Sequence, residues 1–258
     1  MIIMKEEVED ISGKKVFFLY PHSITQGELF DILIMAGFEV YALNDHQRAR
    51  QVLARFPLSI MFINIDEKLE EHDWELYIRD ILQNEKTRTA RLGIMSYNMD
   101  PLLVEKYLMD MSLPCGYIQL KLGLQDSTKI ILAALAANEA HDKRKHIRAP
   151  CENDPNTTMN YKAGDNMYYG KLLDISAAGF SVKVSGFEAM KAGTELQKVQ
   201  IRLRTSLVMT DVILKGRRGD VYIFFFTNMN TAARMSVHRF IKQTIQRNID
   251  SLTLSTPN

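Results

Sequence analysis

The sequence is poor in cysteine and has no excess of charge of either sign. Only 2 of its 258 residues are cysteine, Cys115 and Cys151, and their number and spacing fit neither a disulfide scaffold nor a zinc site. Lysine and arginine number 32 against 31 aspartate and glutamate, which gives a net charge of +1. This near equality of positive and negative charges argues against a protein that coats nucleic acid along its whole surface. Any site for an anion is therefore expected to be local.

Long apolar runs are missing as well. No stretch reaches the roughly 20 apolar residues that a membrane-spanning helix needs. The beginning, MIIMKEEVED, turns acidic within a few residues, unlike a secretory signal. We therefore expect no insertion into a membrane and predict a cytoplasmic protein. With 46% hydrophobic and 24% charged residues, the composition is that of a folded globular protein.

Motifs of the common enzyme classes are also absent. None of the 6 histidines stands in a metal-ligand spacing such as HExxH. Neither a phosphate-binding P-loop nor a G-x-S-x-G serine motif occurs. The sequence therefore predicts no metal centre, no cofactor and no enzymatic activity.

Residues 14–140 alternate short apolar runs with amphipathic stretches of helical spacing. The runs KVFFLY, FEVYAL, LSIMFINI, RLGIMSYN and GYIQLKL are typical of buried strands, and a helical pattern follows each of them. Five strand–helix units predict a doubly wound α/β domain, in which helices cover both faces of a parallel sheet.

The pattern changes after Ala140. Consecutive runs with period-two alternation, such as QKVQIRLR, are joined by glycine-containing turns, and the stretch from Thr231 to Ile249 regains helical spacing. Residues 141–250 are therefore predicted to form a small antiparallel β-barrel or sandwich closed by a C-terminal helix. The run YIFFFT is apolar on both faces, which favours a central or interface strand.

A cluster of basic residues, KRKHIR, lies between the two halves. Arg144 and Arg148 are four residues apart, a spacing that puts both on one side whether the link is helical or extended. Two guanidinium groups on one side can grip a phosphate in bidentate fashion and can match the O6/N7 edge of guanine. The cluster therefore favours a ligand that combines phosphate with a purine.

A second polar string, LLDISAAGF, follows downstream. Alternation predicts that Leu173 and Ile175 face the core while Asp174 and Ser176 face outward. Asp174 can accept hydrogen bonds from guanine N–H groups, and Ser176 can donate or accept. We expect Gly179 to supply the positive φ of a turn and to let a ligand approach the backbone closely.

Together the two strings resemble the motifs of the PilZ family, which consists of bacterial receptors for the second messenger cyclic di-GMP. The sequence reads Arg144-Lys-His-Ile-Arg148 for the RxxxR motif and Asp174-Ile-Ser176-Ala-Ala-Gly179 for the DxSxxG motif. Neither motif is specific alone, but the two occur in the family's order and precede a matching β pattern.

The resemblance covers residues 143–249 and implies a six-stranded antiparallel barrel with a C-terminal helix. It implies that the two arginines of the link bracket phosphates and guanine edges, while the aspartate, serine and glycine of the hairpin read the guanine. Lys143 takes the place of a basic residue that is common before the first arginine. The loop APCENDPN after Arg148 departs from the family, which usually enters its first strand directly.

The first half resembles the receiver domain of two-component response regulators. Such domains hold Mg²⁺ on an acidic pair after the first strand, where this sequence has Tyr-Pro-His-Ser at positions 20–23, so we expect no metal there. Asp66 is near the position of the phosphorylated aspartate, but Asn64 is an alternative match. Ser96 and Lys121 fall where the family keeps a hydroxyl and a lysine. We interpret this half as a degenerate receiver kept for protein contacts or dimerisation.

The combined prediction is a receptor in which cyclic di-GMP orders the link and changes how the receiver-like half is presented to a protein partner. The resemblance implies a role in motility, attachment or virulence. Three alternatives stay open: a scaffold that binds only proteins, a response regulator phosphorylated at Asp66, and binding of nucleic acid by the basic run, of which the last fits the neutral charge least. Also open are the ligand stoichiometry, one dinucleotide or a stacked pair, and the oligomeric state, including a homodimer.

Overall fold

The computed structural model describes residues 13–140, 145–184 and 190–252. The chain forms two compact units that divide between Lys145 and His146. The predicted domain bounds, 14–140 and 141–250, stay a prediction, because the residues around their junction, 141–144, lie outside the described ranges.

The first unit is a parallel sheet of five strands with the order β2-β1-β3-β4-β5. Its elements are β1 Val16–Leu19, α1 Ser23–Met35, β2 Val40–Leu43, α2 His46–Arg55, β3 Ile60–Asn64, α3 Glu71–Gln83, β4 Arg91–Ser96, α4 Pro101–Glu105 with a π-helical turn over Lys106–Asp110, β5 Tyr117–Gln119 with a 3₁₀ turn over Leu120–Leu122, and α5 Leu124–Ala137. This strand order is that of doubly wound flavodoxin-like folds. The predicted α/β fold is confirmed.

Burial along the strands explains why this sequence makes a two-sided sheet. Every residue of β1, β2 and β3 is buried, which requires cover on both faces. The ring of Phe18 packs 5.1 Å from the ring of Phe30 in α1 and 5.1 Å from that of Phe62 in β3. The near-continuous apolar runs of the sequence therefore become the interior of a three-layer domain.

The second unit is an antiparallel barrel followed by a helix. Its elements are β6 Arg148–Pro150, β7 Thr157–Ala163, β8 Asn166–Ser176, β9 Gly179–Val184, β10 Glu195–Leu203, β11 Ser206–Arg218, β12 Val221–Asn228 and α6 Thr231–Asp250. Strands pair in the order β6-β8-β7-β10-β11-β12-β9, and β9 pairs back with β8. That last pairing closes a barrel of six strands, with the short β6 added beside β8. The barrel and C-terminal helix predicted from the sequence are confirmed.

Residues 222–225 of β12 alternate between the two sides of the barrel wall. Tyr222 and Phe224 point inward and are 1% and 0% exposed, whereas Ile223 and Phe225 are 37% and 42% exposed. The helix α6 begins at its N-cap Asn230, whose side chain accepts from the amide of Ala233. Its apolar stripe is buried at Val237, Phe240, Ile241, Ile245 and Ile249. No helix in the described ranges has the length and apolar character needed to cross a membrane.

Candidate functional site

Part of both sequence motifs comes together on the outside of the barrel. Arg148 in β6 lies opposite Ser176 in β8. Asp174 in β8 lies opposite Ser181 in β9, and Ser181 lies opposite Ile223 in β12. With neighbouring strands about 4.8 Å apart, this surface spans about 14 Å from β6 to β12. We call the part formed by Arg148, Asp174, Ser176, Gly179 and Ser181 the polar surface.

The carboxylate of Asp174 is held between a cation and a hydroxyl. Its Oδ1 accepts from Nη1 of Arg148 at 3.5 Å, and its Oδ2 accepts from Oγ of Ser181 at 2.5 Å. The side chains of Arg148 and Asp174 are 47% and 29% exposed. An exposed pair with a contact this long contributes about 0–1 kcal/mol, so the guanidinium can leave the carboxylate at little cost. Both groups are therefore within reach of a ligand.

Ser176 contacts its own hairpin. The residue is 8% exposed, its Oγ donates to the carbonyl oxygen of Gly179 at 3.2 Å, and the same Oγ accepts from the amide of Ala178 at 3.3 Å. The hydroxyl therefore stabilises the two-residue connection between β8 and β9. Contact between this hydroxyl and a base stays a prediction.

The predicted alternation along β8 was wrong at Leu173. Leu172 and Ile175 are both 0% exposed, and the pairing with β9 shifts register between Leu172 and Asp174. Leu173 is therefore the extra residue of a β-bulge, whose insertion moves the inward phase by one position. Asp174 still faces outward, as predicted, because the bulge precedes it.

The predicted positive φ of Gly179 was also wrong. Positive φ occurs at six glycines of the described ranges, and Gly179 is not among them. A Cβ at this position would lie 2.1 Å from the carbonyl oxygen of Phe224 and 2.9 Å from Cα of Phe225. Glycine is needed here because the backbones of β9 and β12 approach too closely for any side chain.

Sequence reasoning missed Ser181 and the apolar pair on β12. Ser181 follows Gly179 by two residues, so continuing the alternation through FSVKV would have placed it outward beside Asp174. Ile223 and Phe225 join the surface only through strand pairing, since Phe225 lies opposite Gly179. That pairing has no local sequence signal.

Two predicted ligand-binding residues, Lys143 and Arg144, lie outside the described residues. Their position relative to the polar surface stays a prediction. Within the ranges 13–140, 145–184 and 190–252, no three His, Cys, Asp or Glu side chains come together as metal ligands do.

The carboxyl edge of the first sheet places the receiver-like residues. The strand β3 ends at Asn64, whose Nδ2 donates to the carbonyl oxygen of Tyr20 at 3.0 Å. Asp66 comes two residues later, and its carboxylate accepts from Oγ of Ser96 and from the amide of Tyr97, both at 2.6 Å. Both oxygens of Asp66 are therefore engaged. The last residue of β3 is therefore an asparagine, Asn64, and not the aspartate.

An aromatic network occupies the end of β1, where receivers keep their acidic pair. Tyr20 has a φ of 52°, and its hydroxyl lies 2.9 Å from Nδ1 of His46. The hydroxyl of Tyr77 donates to the carbonyl oxygen of His46 at 2.7 Å. Burial raises the pKa of both Tyr20 and Tyr77 above the usual range of a phenol, so both phenols stay neutral. Lys121 is exposed in the turn after β5.

Comparison with known proteins gives matches among solved structures only. No family model matches the chain, and no curated protein sequence matches it. The PilZ domain with c-di-GMP of YcgR from Escherichia coli is 15% identical over 43% of this chain and 99% of that chain, with a TM-score of 0.37. The PilZ domain of CeSA from a cellulose-synthesizing bacterium is 23% identical over 37% of this chain and 94% of that chain, with a TM-score of 0.30.

A third match is a longer protein. The Bacillus subtilis inhibitor of motility, MotI or DgrA, is 13% identical over 43% of this chain and 53% of that chain, with a TM-score of 0.34. The matched domains of YcgR and CeSA are PilZ domains. The two motifs of this chain resemble those of the same family.

Proposed function

We propose that the second unit is a receptor domain for cyclic di-GMP, which binds between the basic link and the polar surface. The observation that carries this proposal is strand register. The pairing of β6 with β8 sets Arg148, the second arginine of one motif, directly beside Asp174 and Ser176 of the other. The described part of the arginine motif thereby lies beside the hairpin motif on the outside of the barrel.

The chemistry of the polar surface suits a guanine nucleotide. The guanidinium of Arg148 can bind a phosphate or the O6/N7 edge of guanine. The carboxylate of Asp174 can accept from the N1–H and N2–H₂ groups of the same base. Separating the exposed Arg148–Asp174 pair costs at most about 1 kcal/mol, which is less than the new charge-assisted hydrogen bonds return. Lys143 and Arg144 would close over the ligand from the link.

The proposed role is binding and signal transmission without catalysis. The nearest thiol to the polar surface along the chain, Cys151, is buried, and this burial raises its pKa to about 12, so it is a poor nucleophile. A ligand that orders the link would favour one arrangement of the two units over others. We propose that this shift changes how the first unit is presented to a protein partner, in control of bacterial motility, attachment or virulence.

Calorimetric titration of the full chain with cyclic di-GMP tests this function. We expect saturable binding by the natural protein. Replacing both link arginines, Arg144→Ala with Arg148→Ala, should weaken binding by about 100-fold or more, since two charge-assisted grips are lost. The control Arg239→Ala removes an exposed arginine from α6 and should leave affinity unchanged.

The outcomes separate the competing functions. Absence of binding by the natural, nucleotide-free protein would overturn the receptor proposal and favour a scaffold. Equal affinity of the double variant and the control would overturn the assigned site. Binding of DNA or RNA that falls steeply with salt would favour the nucleic-acid alternative. X-ray scattering that is unchanged by saturating ligand would contradict the proposed rearrangement.

A further inference from the structure

The outer surface of the barrel continues past the polar surface onto two apolar side chains of β12. Ile223 lies opposite Ser181, and Phe225 lies opposite Gly179. Their exposed fractions are 37% and 42%. A phenyl ring in the middle of a central strand, open to solvent and one strand away from a polar cluster, is a feature that barrel stability does not require.

The barrel core is complete without this pair. The inward residues of the same strand, Tyr222 and Phe224, are 1% and 0% exposed, and the Phe224 ring packs 5.5 Å from that of Phe180. Ile223 and Phe225 project away from that core, and more than a third of each residue is exposed. Their apolar surface is available for a ligand instead.

A glycine lies between the polar groups and the phenyl ring. Gly179 lies between Ser176 and Phe225 in this part of the sheet and has no side chain, so only backbone separates them. From Asp174 to β12 the distance is two strand spacings, about 10 Å. A ligand with two purine bases and a phosphate ring is long enough to reach across it.

We propose that Phe225, with Ile223 beside it, is a stacking platform for a guanine base of the cyclic dinucleotide. The inference rests on the proposed function and adds to it a face that the motifs do not contain. Asp174 and Arg148 address the hydrogen-bonding edges of a base, whereas an aromatic ring binds its π-face. Removing an aromatic side chain on which a base stacks typically weakens binding by roughly tenfold or more, so the platform adds affinity that the polar groups alone do not supply.

Lys215 extends the platform with positive charge. Its Nζ lies 5.7 Å from the centroid of the Phe225 ring, within cation–π range. A base that takes over the ring face would move this ammonium to the rim, where it can pair with a ligand phosphate. Lys215 beside β12 would thus offer a positive charge to the ligand at one edge of the surface, as Arg148 in β6 does at the other.

The test compares Phe225→Ala with Tyr169→Ala in calorimetric titration with cyclic di-GMP. Tyr169 is a matched control, because it is an exposed aromatic, 64% accessible, on the outer face of β8. We expect Phe225→Ala to weaken binding by roughly tenfold and Tyr169→Ala to leave it unchanged. Phe225→Trp should retain affinity, and the ligand should quench the fluorescence of the new tryptophan. The natural protein, whose single tryptophan is Trp74 in the first unit, gives the background signal for this measurement.

Failure of the platform and failure of the receptor proposal give different results. If the natural protein binds but Phe225→Ala and Tyr169→Ala bind as tightly as it does, the platform is wrong and the receptor proposal stands. If the natural protein does not bind cyclic di-GMP, both are overturned. Binding by Phe225→Trp without quenching would also overturn the platform, and this readout does not depend on the fold of the alanine variant.

Discussion

Replacing Gly179 by alanine should destabilise the barrel before it affects any ligand. A Cβ at this position would lie 2.1 Å from the carbonyl oxygen of Phe224 and 2.9 Å from Cα of Phe225. Both groups belong to the backbone of β12, so no side-chain rotation can relieve the overlap. The strands β9 and β12 would have to separate by about 1 Å, which a close-packed barrel resists.

The expected cost follows from what that separation breaks. Phe225 and Gly179 are partners at the start of the β9–β12 pairing, and opening it weakens one or two strand hydrogen bonds at about 0.5–1.5 kcal/mol each. The interior rings of Phe180 and Phe224, which pack against each other with a tilt of 31°, must also shift. We therefore expect Gly179→Ala to lower the free energy of unfolding of the second unit by about 3 kcal/mol.

Gly216→Ala is the matched control on the neighbouring strand β11. A Cβ at Gly216 meets nothing within 4 Å, and its φ is not positive, so alanine should not destabilise the barrel and should raise its stability by about 0.4–1 kcal/mol. Urea unfolding followed by near-ultraviolet circular dichroism of the tyrosines measures both variants, and hydrogen exchange locates the loss to β9 and β12. Equal stability of the two variants would refute the close approach. If the reasoning is right, lost ligand binding by Gly179→Ala does not identify a ligand contact.

Three further predictions concern two buried thiols and a half-buried arginine. Cys115 and Cys151 should resist alkylation by iodoacetamide up to about pH 9 while the protein is folded, because burial raises the pKa of each thiol to about 12; rapid labelling of either thiol in the native protein would contradict this burial. Both thiol pKa values lie above the unfolded value of about 8.5, so the buried thiols stabilise the fold fully only below that pH. Between about pH 8.5 and about pH 12 the free energy of unfolding should fall by about 1.4 kcal/mol per thiol for each pH unit. Alkaline unfolding of the natural protein and of Cys→Ser variants would measure this fall. Arg204→Gln should lower the free energy of unfolding of the second unit by about 2 kcal/mol. The reason is that Nε of Arg204 donates to Asp154 at 2.5 Å and its guanidinium lies 4.7 Å from the Phe240 ring centroid. A loss below about 0.5 kcal/mol in urea unfolding would show that these two contacts do not stabilise the fold.

The sequence by itself determined the class of both units. Apolar runs with no polar phase predicted strands covered on both faces, and period-two alternation followed by a helical stripe predicted the barrel and its C-terminal helix. Such periodicities are local, because they repeat the geometry of one strand or one helix, and they can be read without knowing the partner. The motifs around Arg148 and Asp174 were visible for the same reason.

Only the tertiary structure decided what each residue of the hairpin contacts. The bulge at Leu173 arises from pairing with β9, and the need for glycine at position 179 arises from β12, about 45 residues further along the chain. The same pairing brings Phe225 beside the polar surface. In the first sheet, strand pairing ends β3 at Asn64, two residues before Asp66. Register and close backbone approach depend on two distant segments at once, so no single stretch of sequence contains them.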